Sequence, residues 1–140
     1  MSAPDVLDAG VLIGFLDADD AHHADAVKVI TKSLRAGTEF VVSTLTLAEA
    51  LVLPTRLGVD QFRLARTAIS AVTGGRYAPL DEQVALHLAA IRAADRSLKV
   101  PDATVVATAR AVGARRIVTT DRRLARDEAA VMLSRAAAQV

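Results

Sequence analysis

Four carboxylates stand inside or directly beside apolar segments of this 140-residue chain. Asp8, for example, separates Val6-Leu7 from an apolar run over residues 9–16. A charged group in such surroundings is unfavourable unless it has a partner. The four acids with this property are Asp8, Glu49, Asp102 and Asp121.

If these acids meet in one place, they repel one another. Two charges about 5 Å apart at an effective dielectric near 20 cost about 3 kcal/mol. The chain has no cysteine and three histidines, so the natural counter-ion is a hard divalent cation with oxygen ligands, Mg²⁺ or Mn²⁺. Such an ion activates water and neutralises a phosphodiester. Hydrolysis of a nucleic acid is therefore the leading chemistry.

Helix capping is the alternative explanation for each acid taken alone. Asp8, Asp102 and Asp121 could each be the N-cap of a helix, because Asp is a favoured residue there. Thr46-Leu47-Ala48-Glu49 matches the capping-box pattern, in which Glu49 would reach back to the amide of Thr46. The combination of the four, rather than any one of them, favours a shared site.

Short apolar runs alternate with longer stretches of helical period along the chain. This pattern predicts one α/β domain over residues 1–140, with a mostly parallel sheet of four or five short strands flanked by helices that position the acids. The predicted strands are residues 6–7, 40–42, 77–80 and 116–119, and the tail 128–140 is either an edge strand at residues 131–133 or a helix. Strand ends and the helix starts that follow them converge on one crevice of a parallel sheet. Asp8, Asp102 and Asp121 occupy such positions, with Pro101 interrupting the segment before Asp102. Glu49 follows the second strand by about one helical turn.

The formal net charge of +1 hides an asymmetry along the chain. Residues 1–50 carry three basic and eight acidic residues, whereas residues 51–140 carry fourteen and eight. The basic residues are mostly arginine, whose planar fork suits phosphate. We expect RNA-phosphate contacts among the arginines that flank Asp102 and Asp121, with a solvated surface as the alternative; they are Arg110, Arg115, Arg116, Arg122 and Arg123. The remaining acids near the N-terminus are expected to be surface charge: Asp5, Asp17, Asp19, Asp20 and Asp25.

Composition excludes several classes of protein. The absence of cysteine excludes thiolate metal sites and cysteine nucleophiles. No basic segment precedes an apolar run at the N-terminus, and the longest apolar stretch is far below the roughly 18 residues of a membrane span. We therefore expect a soluble cytoplasmic protein without a membrane partner.

The ordered set of motifs resembles the PIN-domain nucleases, and among them the VapC-type toxins of toxin–antitoxin pairs. The matching segments are residues 6–13, 43–49, 101–109 and 118–121, in that order along the chain. The resemblance implies that Asp8, Glu49, Asp102 and Asp121 bind the metal, with Thr119 as a supporting hydroxyl. It also implies RNA cleavage with Mg²⁺ or Mn²⁺, a homodimer, and silencing by a cognate antitoxin.

One position departs from this family. Two residues after the first acid the family usually has Asn or Ser, and here the residue is Gly10. A side-chain oxygen is missing there, so we expect an altered metal affinity or a water in its place. A PIN-like module that binds RNA or protein without cutting stays open as the alternative function.

The segment after the second predicted strand indicates a protein partner. Residues 44–57 and 60–73 form two predicted helices joined at Gly58, and the first is apolar on more than one face. We expect exposed leucines near Glu49 to receive the antitoxin, with Arg56 or Arg63 at the polar rim.

Overall fold

The computed structural model describes residues 3–124 and 130–132. Eleven elements follow one another along these residues. The strands are β1 (Asp5–Leu7), β2 (Phe40–Ser43), β3 (Tyr77–Ala78), β4 (Arg116–Thr119) and β5 (Ala130–Met132). The helices are α1 (Ala9–Leu16), α2 (His23–Arg35), α3 (Thr44–Leu57), α4 (Val59–Thr73), α5 (Glu82–Ala94) and α6 (Val100–Val112).

The strands form one sheet in the order β3-β2-β1-β4-β5, and every pair is parallel. This confirms the predicted fold class. Of the two alternatives for the tail, the described part is the edge strand β5 beside β4, while Leu133 and the alanines after it lie outside the described residues.

Side chains alternate across the strands and divide the core into two layers. Leu7 and Val42 pack against α1 to α4 on one face of the sheet. Val6 and Ile117 pack against α5 and α6 on the other face. Because both faces are covered, the strands are continuous apolar runs rather than alternating ones.

The strand order reverses at β1, whose neighbours are β2 on one side and β4 on the other. In open parallel sheets, ligands bind outside the carboxyl ends of the strands at such a switch point. The residues that directly follow β1 and β4 include Asp8 and Asp121. The topology therefore brings together two acids that lie more than 100 residues apart in sequence.

No helix in the part of the chain that the structure describes has the length and apolar character needed to cross a membrane.

Candidate metal centre

Asp8 and Thr119 form the buried base of the site. The β1–β4 register pairs Leu7 with Val118, so Asp8 comes level with Thr119. The Thr119 hydroxyl donates to Asp8 Oδ2 at 2.7 Å and accepts from the amide of Asp121 at 2.9 Å. The other oxygen of Asp8 accepts from the amide of Ala9 at 2.8 Å. Asp8 is 8% exposed and Thr119 is fully buried, so this carboxylate is held through both of its oxygens.

Asp8 is thus an N-cap and a member of the acidic site at once. It is the N-cap residue of α1, as the capping interpretation required. Asp121 instead lies in the turn after β4, where its Oδ1 accepts from the amide of Arg123 at 2.8 Å. Capping accounts for one hydrogen bond of Asp8 and leaves its second oxygen to Thr119.

Glu49 lies in the second turn of α3 and belongs to no capping box. The helix begins at Thr44, and its N-cap is Ser43, whose Oγ accepts from the amide of Thr46 at 3.0 Å. The capping-box alternative, with Thr46 as N-cap, is therefore wrong. Ser43 ends β2, so α3 starts at the carboxyl edge of the sheet and carries Glu49 over the site.

Asp102 is the third residue of α6, in its first turn. The N-cap is Lys99 and Pro101 lies inside the first turn, so Pro101 does not interrupt the segment before Asp102 as expected from the sequence. Proline is tolerated at this end of a helix because its missing N–H has no intrahelical partner there. The capping interpretation of Asp102 is wrong as well.

The electrostatics place the four acids within reach of one another. Burial raises the pKa of Asp8, with a smaller raising effect of Asp121, against the lowering effect of the hydrogen bonds from Thr119 and Ala9. Burial, followed by the charges of Asp8 and Asp102, raises the pKa of Glu49. Burial, Asp121 and Asp8 raise the pKa of Asp102, while Arg123 and Lys99 lower it. Each of the four acids is therefore near enough to at least one other for their negative charges to repel.

The donor set suits a hard divalent cation, because it consists of carboxylate oxygens and a threonine hydroxyl. Among residues 3–124, however, no three His, Asp or Glu side chains are arranged closely enough to hold a metal ion. Glu49, Asp102 and Asp121 are partly exposed, so their side chains can change rotamer without disturbing the core. Asp8, in contrast, is fixed.

Two of the five predicted RNA-binding arginines lie at the opposite edge of the sheet. Arg115 binds Asp5 through two hydrogen bonds, of 3.0 and 2.9 Å, and Arg116 binds it through one of 2.8 Å. The pairing follows from the register, which sets Asp5 against Arg116 at the amino ends of β1 and β4. Asp8, three residues along the chain, is about 10 Å away. The placement of Arg115 and Arg116 does not support the predicted contact with RNA at the acidic site.

The same ion pairs correct the expectation for Asp5. This residue was predicted to be surface charge, but it is fully buried. Its hydrogen bonds with Arg115 also raise the pKa of that guanidinium. An ionised aspartate in the interior is tolerated when it is paired in this way. No local pattern around Asp5 indicates this burial, since its partners are 110 and 111 residues away.

The other three predicted arginines, Arg110, Arg122 and Arg123, differ in their surroundings. Arg123 is close enough to lower the pKa of Asp102. Arg110 and Arg123 also line a common cavity of about 510 Å³ between α5 and α6, with Ile91, Leu98 and Val106 among its apolar walls. Arg122 is exposed in the turn that follows Asp121.

An apolar groove lies on the other side of the site. It has a volume of about 790 Å³ and is lined by residues of α1, α3 and α4, with Glu49 among them. Leu53 and Leu57 of α3 and Leu64 of α4 line it and are 46%, 63% and 65% exposed. The prediction of exposed leucines near Glu49 is consistent with this surface.

Comparison with known proteins identifies the fold. The family model of the PIN domain matches residues 6–128. No protein of curated function matches the chain. Among solved structures, a toxin–antitoxin complex from Klebsiella pneumoniae is similar with a TM-score of 0.73 and 22% identity, covering 94% of this chain and 98% of that one. FitAcB from Neisseria gonorrhoeae has a TM-score of 0.72 and 21% identity, covering 91% and 96%. The sarcin-ricin loop cleaving toxin VapC20 of Mycobacterium tuberculosis has a TM-score of 0.67 and 20% identity, covering 87% and 93%.

Proposed function

Because the chain belongs to the PIN domain family, we propose that it is a metal-dependent endoribonuclease acting in the cytoplasm as the toxin of a toxin–antitoxin pair. The observation that carries this proposal is the cluster of four carboxylates at the switch point of the sheet, where Asp8, Glu49 and Asp102 each have a raised pKa. This excess of carboxylate charge, which Arg123 and Lys99 offset only in part at Asp102, is the arrangement that a divalent ion stabilises. The toxin structures that share the fold support the biological role.

The residues have distinct parts in this proposal. Mg²⁺ or Mn²⁺, when bound, supplies an activated water and neutralises the scissile phosphodiester. Asp8 is the rigid ligand, because Thr119 and Ala9 fix both of its oxygens. The remaining ligands would be Glu49, Asp102 and Asp121, whose side chains are partly exposed and can change rotamer. Thr119 supports two of the four acids, since it also accepts from the amide of Asp121.

Cleavage of a structured RNA pool tests the activity. We expect products with Mg²⁺ or Mn²⁺ and none with excess chelator. Asp102→Asn should abolish cleavage, while Asp81→Asn is the matched control, because Asp81 caps α5 away from the cluster. Cleavage that persists in chelator would refute the metal mechanism. RNA binding without cleavage in any metal would favour the non-cutting module.

Arg110, Arg122 and Arg123 are proposed to contact RNA phosphates beside the acids. The cavity shared by Arg110 and Arg123 offers two cations above apolar walls, which suits a phosphate with its sugar and base. Neutralising two true contacts should flatten the salt dependence of RNA binding by roughly 0.7 per contact on a logarithmic plot. Arg66→Gln is the control, since Arg66 is an exposed residue of α4, which packs against the other face of the sheet. An unchanged slope would mean that these arginines are solvated surface residues that do not contact RNA.

The apolar groove is proposed to bind a helix or extended segment of the antitoxin. Its lining is dominated by side chains of α1, α3 and α4, and it reaches Glu49, so an occupant would also cover the acidic site. Arg56 and Arg63 are exposed but do not line the groove, so we place them outside it, at the polar rim. Hydrogen exchange should show protection over residues 44–73 when the antitoxin binds. Protection elsewhere alone would move the partner to another surface.

We also propose that the isolated protein is a homodimer. Exposed apolar side chains occur outside the groove as well, including Leu86 on α5, which is 66% exposed. Light scattering at micromolar concentration measures the mass directly. A monomer of 14.7 kDa would contradict the proposal.

A further inference from the structure

Gly10 occupies a position where the backbone has no need of glycine. It is the second residue of α1, and it is not among the glycines with positive φ. Within a helix glycine is less favourable than alanine by up to about 1 kcal/mol. The reason for glycine at this position must therefore lie in the space around it.

That space is occupied by the Thr120 hydroxyl. A Cβ atom added to Gly10 would collide with Thr120 Oγ1, whereas the Cβ and Cγ2 atoms of Thr120 would be at ordinary distances of 3.5 and 3.7 Å. The collision is with the oxygen alone. The absence of a side chain at Gly10 therefore makes room for the Thr120 hydroxyl and not for an apolar group.

Both partners of this contact are neighbours of the site acids. Gly10 follows Asp8 by two residues, and Thr120 stands between Thr119 and Asp121. Within the described residues no hydrogen bond uses the Thr120 hydroxyl, although Thr119 beside it makes two. Thr120 is only partly buried, and its hydroxyl is not among the buried polar atoms that lack a partner in the described residues, so the oxygen is accessible to solvent.

We propose that Thr120 Oγ1 is a further oxygen of the acidic site, beside the four carboxylates and the Thr119 hydroxyl, that would hold a water of the bound cation, and that Gly10 is required to admit it. Magnesium and manganese sites commonly keep several waters, which need hydrogen-bond partners from the protein. The Thr120 hydroxyl occupies the space that a side chain at position 10 of α1 would fill. This inference rests on the proposed function and adds a positioning residue to it.

Binding of Mn²⁺ alone, followed by the electron paramagnetic resonance of free Mn²⁺ without RNA, tests the inference. Thr120→Ala should weaken binding about tenfold, the lower end of the usual loss for outer-shell partners, and Thr120→Ser should restore it. Gly10→Ala should cause a similar loss, because the new methyl group displaces the hydroxyl. Gly10→Ser combined with Thr120→Ala should bind more tightly than Thr120→Ala alone, because the serine oxygen fills the vacated space.

The outcomes distinguish a failure of this inference from a failure of the proposed function on which it rests. If Thr120→Ala binds Mn²⁺ as tightly as the wild type, the proposed role of the Thr120 hydroxyl is refuted and the nuclease proposal stands. Losses in Gly10→Ala and Thr120→Ala that simply add in the double variant would refute the coupling between the two residues. If the wild type and Asp8→Asn bind Mn²⁺ equally weakly, both proposals fail.

Discussion

Replacing Asp8 by Asn should stabilise the metal-free protein at neutral pH, even though Asp8 caps α1 and lies at the base of the candidate site. Burial and the charge of Asp121 disfavour the ionised carboxylate, and they outweigh the hydrogen bonds from Thr119 and Ala9, because the pKa of Asp8 is raised on balance. Asparagine is neutral and caps a helix as well as aspartate does. A residue retained for capping alone would show little change on this substitution.

The magnitude follows from two opposing effects. Burial of the ionised carboxylate is the largest cause of the raised pKa of Asp8, and the repulsion from Asp121 is a smaller one. Relieving both gains about 2 kcal/mol, the usual desolvation penalty of a buried polar group. Weakening the charge-assisted hydrogen bond from Thr119 costs about 1 kcal/mol. The net gain is about 1 kcal/mol, which raises the melting temperature of a domain of this size by about 3 °C.

The pH dependence gives the sign of the effect independently. The carboxyl of Asp8 has a folded pKa above its ordinary value of 3.8. Between those two values the folded wild type binds more protons than the unfolded chain, so its free energy of unfolding falls as the pH rises through that window. The advantage of Asp8→Asn is therefore complete above the raised pKa and disappears below 3.8.

Scanning calorimetry in excess chelator, at several pH values from 7.5 downwards, measures the difference. Asp81→Asn is the matched control, because Asp81 accepts from the amide of Val84 at 3.0 Å and lies outside the acidic cluster. We expect no more than a few tenths of a kcal/mol for this control. An Asp8→Asn protein that melts below the wild type at neutral pH would show that the hydrogen bonds of Asp8 outweigh the cost of burying its charge, and the reasoning would fail.

Three further predictions concern stability. Thr119→Val should lower the free energy of unfolding by about 1 to 3 kcal/mol, because the Asp8 carboxylate and the Asp121 amide each lose a hydrogen-bond partner. It should also raise the pKa of Asp8 further. Urea unfolding measures the first effect, and NMR titration of the Asp8 carboxyl measures the second. Changing Arg115 and Arg116 together to Met should lower the free energy of unfolding in urea by about 3 kcal/mol, because buried Asp5 then has no charged partner. The salt dependence of RNA binding should stay the same, and a flatter dependence would contradict the structural role of the two arginines. Thr108→Val should be neutral or stabilising by thermal melting, because the Thr108 hydroxyl is buried without a partner among the described residues, whereas Thr104→Val removes a 2.7 Å hydrogen bond to Val100 and should destabilise.

The sequence was sufficient for the features that local chemistry determines. Hydrophobic periodicity and glycine positions predicted β4 and α3 with the bounds that the structure has, Arg116–Thr119 and Thr44–Leu57. The general rule that ligands bind at the carboxyl edge of a parallel sheet was enough to bring Asp8, Asp102 and Asp121 together. These inferences hold because a segment's own pattern decides its type, and the alternation of strands with helices along the chain makes the sheet parallel.

The tertiary structure decided which polar groups meet. Asp5 begins β1 and Asp8 directly follows its end, three residues later. The β1–β4 register nevertheless places two arginines beside Asp5, and a threonine and further acids beside Asp8. Likewise, Gly10 looks like a missing oxygen in the sequence, and only the packing of α1 against the end of β4 shows the Thr120 hydroxyl in that space. Neither pairing leaves a trace in the local pattern, because strand register fixes contacts between residues about 110 positions apart, and their energies depend on burial and distance that composition does not contain.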